Sequence, residues 1–331
     1  MKKYLPLVLL FFFGCEDNAT KGPISTLTFI ATEGIYGDGN GEINVCRGDE
    51  IIQTIPNVGD VVQSLLVDED KLFVIVNNSH LIKRYTISQD GLSLPGIEIM
   101  TDNSSPREMV IVNNKLYFTN WNTQDIKILN LNTYSIESTI SVDGKPEDII
   151  SDGSFLWVSL PMLSDFSTNS KVVKIDISTE QIIEDFEVGS GPEQMVLEGE
   201  NLWISRTFYD SDWSAFYGSS RINTQTGEVN ILNYGAGTVC GGDMMLIDDM
   251  VYRTSSVGVV GLDWNLNLNQ SAKIGSYNSV YSAGAYQNSV FIGISDFIGP
   301  DTVQVHNEFG DLLHTYVVGV SPGDFAIWDI R

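Results

Sequence analysis

Polar side chains recur at one position of a repeated pattern in this 331-residue sequence. The seven residues are Ser64, Glu108, Asp148, Gln194, Asp243, Ser282 and Asp324, and an apolar residue follows each of them. Carboxylates gathered in one ring repel each other and have raised pKa values unless a cation or a donor lies among them. We therefore expect this polar ring either to hold a cation or a ligand amine, or to accept hydrogen bonds from free N–H groups at strand starts.

A second candidate site is a long segment that is rich in aromatic residues. It covers residues 205–220, and the equivalent segment one repeat earlier, 159–171, is also long. Exposed aromatic clusters often mark binding surfaces, because rigid rings give a broad contact area at a small entropy cost. The alternative is that these rings pack on each other as a small core beneath a loop. The candidate ligand-binding residues are Trp121, Phe166, Arg206, Phe208, Tyr209, Trp213, Phe216 and Tyr217.

The elements that position these residues belong to a repeat of short strands. Pro106, Pro146 and Pro192 each lie eleven residues before an aromatic residue, and degenerate copies of the pattern appear elsewhere. The repeats start at residues 62, 106, 146, 192, 241, 280 and 322, so successive starts are 39 to 49 residues apart. A period of this length, filled with short strands and polar turns, is typical of a propeller or a β-solenoid.

The two ends of the chain favour the propeller. The last repeat has only one strand, from Phe325 to Ile330, whereas residues 26–57 have three strands without a matching first strand. One strand and three strands complete one blade, and closing a ring in this way removes both exposed sheet edges. We therefore predict an all-β, seven-bladed β-propeller of four-stranded blades over residues 26–331. In this fold the C-terminal strand pairs with the N-terminal strands, and an open two-domain β-sandwich is the alternative.

The N-terminal residues have the pattern of an export signal. A positively charged start and a nine-residue apolar run, 5–13, precede Gly14 and Cys15, and this run is too short to span a bilayer. The pattern resembles a bacterial lipoprotein signal, which implies a signal peptide at 1–14 and a lipidated Cys15 with its tether at 15–25. The acidic residues after Cys15 resemble a surface-export signal, so we expect a lipid-anchored, surface-exposed location at the outer membrane. In other bacteria an acidic residue after the cysteine holds a lipoprotein at the inner membrane, which is the alternative location. An ordinary secretory signal with a chance cysteine is the alternative.

Composition argues against several classes of function. With 18 Lys and Arg against 43 Asp and Glu, the formal net charge is -25, which disfavours nucleic acids and anionic lipid surfaces as partners. Three Cys and three His are too few for a disulfide scaffold or a typical zinc cluster. The sequence has no nucleophile elbow, phosphate-binding loop or HExxH motif. We therefore expect no catalytic residues, no bound metal and no cofactor.

Several segments of the repeat carry a resemblance to a known family. They are PEQMV at 192–196, LWIS at 202–205, VVKID at 172–176 and IIEDFEVG at 182–189. Together they resemble the YncE-like (YVTN-type) bacterial β-propellers, over nearly all of residues 26–331 and most clearly at 103–236. A lipidated, acidic member is also similar to the BtuG-type surface lipoproteins, which capture corrinoids for an outer-membrane transporter.

These observations predict a non-catalytic binding lipoprotein of the cell envelope. It would present the loop-bearing face of the propeller to a small ligand, for which the resemblance implies a corrinoid, or to an outer-membrane transporter. Two alternatives remain. The first is a protein–protein interaction scaffold, and the second is a metal-dependent propeller lactonase or hydrolase that uses the ring carboxylates.

Overall fold

The computed structural model describes residues 26–237 and 242–329, and it confirms the predicted all-β, seven-bladed β-propeller. Every blade is an antiparallel sheet of four strands. No helix in these two described ranges is long and apolar enough to cross a lipid bilayer. The expected signal peptide at 1–14, the lipidated Cys15 and the tether at 15–25 lie outside the described residues.

The strands follow the order of the repeats, and we number the blades along the chain. Blade 1 contains β1 (Thr26–Thr32), β2 (Gly41–Arg47), β3 (Glu50–Gly59) and the last strand, β28 (Pro322–Asp329). Blade 2 contains β4 (Val62–Asp68), β5 (Lys71–Val76), β6 (Leu81–Ser88) and β7 (Gly91–Met100). Blade 3 contains β8 (Pro106–Val112), β9 (Lys115–Asn120), β10 (Asp125–Asn130) and β11 (Ser135–Ser141). Blade 4 contains β12 (Ile149–Ser151), β13 (Phe155–Met162), β14 (Thr168–Asp176) and β15 (Gln181–Glu187).

The remaining blades have the same arrangement. Blade 5 contains β16 (Pro192–Glu198), β17 (Asn201–Tyr209), β18 (Ala215–Asn223) and β19 (Val229–Ala236). Blade 6 contains β20 (Met244–Ile247), β21 (Met250–Ser255), β22 (Gly258–Leu262) and β23 (Leu268–Ile274). Blade 7 contains β24 (Val280–Tyr286), β25 (Ser289–Ile294), β26 (Asp301–Asn307) and β27 (Leu312–Val318). The inner strands are therefore β4, β8, β12, β16, β20, β24 and β28.

Strand β28 closes the ring as the sequence predicts. It is the innermost strand of blade 1 and pairs antiparallel with β1, so that Phe29 lies opposite Ala326 and Ile30 opposite Phe325. Because β28 covers β1, the first strand of the chain has no unpaired edge toward the channel. Closing a propeller in this way removes exposed edges through which sheets could associate.

The hydrophobic core consists of seven clusters, one at each interface between successive blades. The cluster that joins blade 7 to blade 1 contains Phe291 and Val303 on one side and Ile30 on the other. The aromatic residue of each repeat serves these interfaces: Trp157, for example, is fully buried with its ring centroid 5.5 Å from that of Phe186. A packed cluster at every interface shows that the ring is closed.

The interface between blades 5 and 6 contains arginines as well as apolar residues. Arg253 is fully buried, donates to the Ser219 hydroxyl at 2.8 Å, and lies 5.5 Å from the ring centroids of Tyr217 and Tyr234. Arg221 stacks on Trp264, with its guanidinium carbon 3.5 Å from the ring centroid. Because guanidinium groups stack well on aromatic faces, they serve as packing groups at this interface.

Candidate functional site

The inner strands of all seven blades start on one face of the ring. The connections from the second to the third strand of each blade lie on the same face, because the strands alternate in direction. We call it the upper face. A cavity of about 930 Å³, which we call the funnel, opens there above the central channel. Six carboxyl groups line the funnel, namely those of Glu33, Glu108, Glu147, Glu193, Asp243 and Asp324.

The polar ring lies at the base of the funnel, and its aspartates connect neighbouring blades. Asp148 accepts a hydrogen bond from the Met195 N–H at 2.6 Å. Asp243 accepts one from the Ala283 N–H at 2.7 Å, and Asp324 accepts one from the Leu65 N–H at 2.6 Å. Each donor belongs to the inner strand of the next blade. The structure therefore supports the expectation that ring carboxylates satisfy free backbone N–H groups at the strand starts.

The two serines of the polar ring also connect neighbouring blades, in their case as hydrogen-bond donors. The Ser64 hydroxyl donates to Glu108 Oε2 at 2.7 Å, and the Ser282 hydroxyl donates to the Pro322 carbonyl at 2.5 Å. Gln194 lines the funnel beside these residues. The seven ring positions thus lie together at the mouth of the channel, as the repeat spacing indicates.

Burial of the polar ring raises the pKa values of its acids. Burial raises the pKa of Asp148, Asp243 and Asp324 to about 7 each, against the lowering effect of the backbone N–H donors. Burial also raises the pKa of Glu108 well above its ordinary value, and the neighbouring Asp324 and Asp148 add to the shift. Near neutral pH this ring is therefore only partly ionised.

A second layer of polar side chains lies above the ring and was missed from the sequence. Several inner strands have a β-bulge at their start. In β8, for example, Pro106 pairs with Asn120 and Met109 pairs with Phe118, so β8 has one more residue than β9 between these two pairs. Pro192 and Met195 show the same shift. A bulge redirects a side chain, and the residue one position after the repeat start lines the funnel in six blades. These residues are Gln63, Arg107, Glu147, Glu193, Tyr281 and Gly323.

Serine and threonine side chains on the second strands stabilise two of these bulges and the equivalent start of β12. The N–H groups of Glu108, Asp148 and Gln194 donate to the hydroxyls of Thr119, Ser159 and Ser205, at 3.0, 3.0 and 3.1 Å respectively. The short patterns Phe-Thr-Asn, Val-Ser-Leu and Ile-Ser-Arg place these hydroxyls at equivalent positions of their repeats. A hydroxyl two residues after the repeat aromatic is thus the sequence signal that marks the bulge.

Arg107 is the centre of an ion-pair network in the second layer. Its guanidinium donates to both carboxylate oxygens of Glu147, at 2.6 to 3.1 Å, and to Gln63 Oε1 at 2.7 Å. It also lies 4.6 Å from the ring centroid of Trp121. Burial alone would lower the pKa of Arg107, but Glu147 and Glu108 hold it above its ordinary value. This network joins blades 2, 3 and 4, so Arg107 is already engaged by the chain.

The aromatic residues predicted from the long segments form a second cavity beside the funnel. The segment at 205–220 is not a loop along most of its length: β17 and β18 form a long hairpin whose turn covers only residues 210–214. A cavity of about 540 Å³, which we call the aromatic groove, lies between this hairpin and the β13–β14 hairpin. Four of the predicted residues line it, namely Phe166, Phe208, Tyr209 and Trp213.

The other predicted residues occupy different places. Trp121 lines the funnel rather than the groove. Phe216 stacks on Phe208 with centroids 5.8 Å apart, and Tyr217 packs on Tyr234 at 5.2 Å. Some of these rings therefore pack on each other, as the alternative expects, and others line a cavity.

Arg206 does not lie where a ligand-contacting residue would. It is only 1% exposed and donates to the Leu232 carbonyl at 3.0 Å and to the Asn233 side chain. Burial lowers the pKa of its guanidinium to about 10. The sequence placed Arg206 in a surface loop, but the hairpin extends through this position, and the side chain is therefore held between β17 and β19.

Glu193 connects the two cavities, because it lines both the funnel and the aromatic groove. Its position depends on Gly191, which has a φ of +64° and closely approaches the second strand. A Cβ at Gly191 would lie 1.8 Å from the Thr207 carbonyl oxygen, so no other residue fits there without movement. The glycine thereby lets β16 start directly against β17, with Glu193 at the base of the groove.

The carboxylates of the upper face do not converge on one point. Within residues 26–237 and 242–329, no three His, Cys, Asp or Glu side chains are grouped so that they could hold a metal ion. What the arrangement offers instead is a pair of joined cavities. One has a carboxylate-rich wall, and the other has exposed aromatic rings.

Comparison with known proteins supports the fold. No protein-family model and no curated protein matches the sequence. A hypothetical selenium-binding protein from Sulfolobus tokodaii superimposes with a TM-score of 0.69 at 10% identity, covering 93% of this chain and 94% of its own.

Two further solved structures are similar. A functionally unknown protein from Desulfotomaculum acetoxidans gives a TM-score of 0.63 at 14% identity, covering 92% of this chain and 99% of its own. AztD from Citrobacter koseri, in its apo form, gives 0.57 at 10% identity, with 92% and 98% covered. At these identities the likeness shows that the chain has the β-propeller fold.

Proposed function

We propose that this chain is a non-catalytic binding protein that takes a small ligand on the upper face of its propeller. The observation that carries the proposal is the pair of joined cavities, the funnel of about 930 Å³ and the aromatic groove of about 540 Å³. Ligand pockets in proteins usually measure about 300–1,000 Å³ and combine apolar walls with a few polar groups. Both features are present here.

A corrinoid is the first ligand to test. The sequence resembles the YncE-like propellers and the BtuG-type lipoproteins, and membership of that group is part of this proposal. A flat macrocycle would lie against exposed rings such as Trp213 and Phe166, while its polar side groups would reach the polar wall of the funnel.

Calorimetric titration of the full chain with cobinamide and with cobalamin tests this ligand. We expect a dissociation constant in the micromolar range or below, weakened in Trp121→Ala and Trp213→Ala. The matched control is Phe309→Ala, which removes an aromatic ring that is 82% exposed at a turn on the opposite face. The absence of heat and of co-elution on gel filtration at micromolar corrinoid would reject the corrinoid as the ligand.

The anchoring of the protein is the second part of the proposal. We propose that Cys15 is lipidated after removal of residues 1–14 and that the chain is held at the outer membrane, facing outward. Metabolic labelling with an alkyne fatty acid should mark the wild-type chain and not Cys15→Ser. Equal labelling of both chains, or none in either, would contradict this part.

A partner protein is the second candidate function, and the exposed rim of the upper face favours it. Tyr36, Trp213 and Ile298 are each at least 77% exposed around the two cavities. We propose an outer-membrane transporter as the partner. One stoichiometric envelope protein, recovered with the wild type and lost with a Tyr36→Ala, Trp213→Ala double variant, would support it. The hydrolase alternative has no such observation in its favour.

A further inference from the structure

The first described strand starts on the face of the propeller opposite the two cavities. We call this face the lower face, and it holds the turns between first and second strands and between third and fourth strands. Thr26, at the start of β1, pairs with Asp329 at the end of β28, whereas Thr32 pairs with Pro322 at the start of β28 on the upper face. The segment that leads back to Cys15 therefore joins the lower face.

The length of this segment limits which face can lie against a membrane. Residues 15–25 are eleven residues, which span at most about 36–40 Å fully extended and average about 17–20 Å as a coil. Strand β28 has eight residues, so the upper and lower ends of blade 1 are about 26 Å apart.

The interfaces of blade 1 with its neighbours are packed, so a path from Thr26 to the upper face must pass outside β2 and β3. Two further strand spacings add about 10 Å to that path. An anchor at Cys15 therefore reaches a bilayer at the lower face easily, but it reaches one at the upper face only when the segment is almost fully extended.

The lower face also presents large apolar side chains to solvent. At the turns of blades 6 and 7, Phe309 is 82% exposed, Trp264 is 59% exposed and Met250 is 49% exposed. Blade 7 packs against blade 1, where the segment from Cys15 joins the propeller. Tryptophan and phenylalanine rings are favourable at the boundary between lipid headgroups and acyl chains.

The ring of Trp264 is fixed by contacts with blade 5. The Arg221 guanidinium carbon lies 3.5 Å from its centroid, and Arg221 also donates to the Trp264 carbonyl. Trp203 meets the ring edge-on, with centroids 6.2 Å apart. Because the fold already orders this exposed ring, placing it in a lipid surface costs little side-chain entropy.

Acidic residues in the same turns decide which kind of lipid surface fits. They are Asp248, Asp249, Asp263, Glu308 and Asp311. An anionic lipid surface would repel them, whereas a zwitterionic surface carries no net charge. The lower face therefore fits a zwitterionic bilayer surface.

We propose that the anchored protein lies with its lower face against a zwitterionic bilayer, with Trp264 and Phe309 at the lipid headgroups and both cavities directed away from the membrane. This inference rests on the proposed lipidation of Cys15 and adds which face meets the lipid. A ligand then enters the funnel from the surrounding medium. A partner protein must extend at least about 26 Å above the bilayer to contact the upper face.

Quenching of tryptophan fluorescence by lipid tests this orientation, because Trp264 on the lower face and Trp213 on the upper face are both exposed, at 59% and 79%. The lipidated full chain is bound to phosphatidylcholine vesicles that carry a nitroxide on the headgroup. We expect the vesicles to quench the wild type and Trp264→Phe to at least halve this quenching. Trp213→Phe is the matched control and should leave it unchanged. Both substitutions keep an aromatic ring for the neighbouring Arg221 and Tyr209.

The outcomes separate the orientation from the proposed binding function. Quenching that is lost in Trp213→Phe and kept in Trp264→Phe would overturn the inference, and so would a lipidated wild type that is quenched no more than Cys15→Ser. Stronger quenching by phosphatidylglycerol vesicles than by phosphatidylcholine vesicles would overturn the choice of a zwitterionic surface. A chain that metabolic labelling shows to be unlipidated would overturn the anchoring and this inference together. None of these results changes the corrinoid titration, which tests the binding function in solution.

Discussion

At the scale of single residues, the acids of the channel mouth couple folding to protonation. Asp148, Asp243 and Asp324 have pKa values raised to about 7 by burial, although each accepts a backbone N–H from the next blade. The folded state therefore binds protons more tightly than the unfolded state, in which these groups have ordinary values near 4. The hydrogen bonds join the blades, but they do not fully offset the cost of burying charge.

The first prediction is that stability falls as pH rises. Between about pH 4 and about pH 7 the folded chain holds protons that the unfolded chain has lost, so the free energy of unfolding decreases over this window and levels off above it. Thermal unfolding followed by circular dichroism should show a higher midpoint at pH 5 than at pH 8. Asp148→Asn should reduce this pH dependence, and a midpoint that rises from pH 5 to pH 8 would contradict the assignment.

The second prediction concerns the network of Arg107. Glu147→Gln removes the charged partner of Arg107, whose side chain is 20% exposed on the funnel. Breaking a fully buried pair typically costs about 3–5 kcal/mol, so for this partly exposed pair we expect a smaller loss, of about 1–3 kcal/mol, in urea unfolding. Asp185→Asn breaks the exposed pair with Lys171 and should cost less than about 1 kcal/mol. Equal effects of the two substitutions would show that the network does not hold the blades together.

At the scale of elements, closure of the propeller depends on β28, which completes blade 1. Ala326 of β28 is buried and lies opposite Phe29 of β1, in the cluster that joins blades 1 and 2. A charged side chain there would be forced into an apolar environment, which destabilises a protein by several kcal/mol.

The third prediction compares two identical substitutions. Ala326→Asp should lower the free energy of unfolding by at least about 3 kcal/mol and make the chain prone to association through its exposed strand edges. Ala236→Asp, on the exposed end of β19, should be close to neutral. Urea unfolding and light scattering measure the two effects. A stable, monomeric Ala326→Asp chain would mean that β28 is dispensable for the ring.

The elements also show what the sequence could and could not predict. The eleven-residue spacing from proline to aromatic residue located the inner strands, because every blade uses that aromatic residue at an interface. The bulges that aim Arg107 and Glu193 into the funnel were missed, because a bulge shifts the strand register without changing the period. The segment at 205–220 was interpreted as a loop, because a hairpin with aromatic residues on a cavity lacks the alternation of a half-buried strand.

At the scale of the whole molecule, ring closure turns seven separate sheets into one site. No blade contains more than a fraction of the funnel, whereas the inner-strand starts together bring five carboxyl groups to one cavity and Glu33 of the β1–β2 connection adds a sixth. The net charge of -25 favours a cationic partner at this face, because an acidic protein attracts cations. A repeat can reveal this convergence, but it cannot show that Glu193 is shared between two cavities, since that depends on how two adjacent hairpins pack.

Hydrogen–deuterium exchange of the full chain, with and without a saturating ligand, shows which face of the propeller binds. The ligand is cobinamide or cobalamin, whichever binds in calorimetry. We predict slower exchange at the upper face, in residues 33–40, 163–167 and 210–214, and unchanged exchange in the opposite-face turn at 308–311. Protection at 308–311 without protection at the upper face would contradict a ligand site on the upper face.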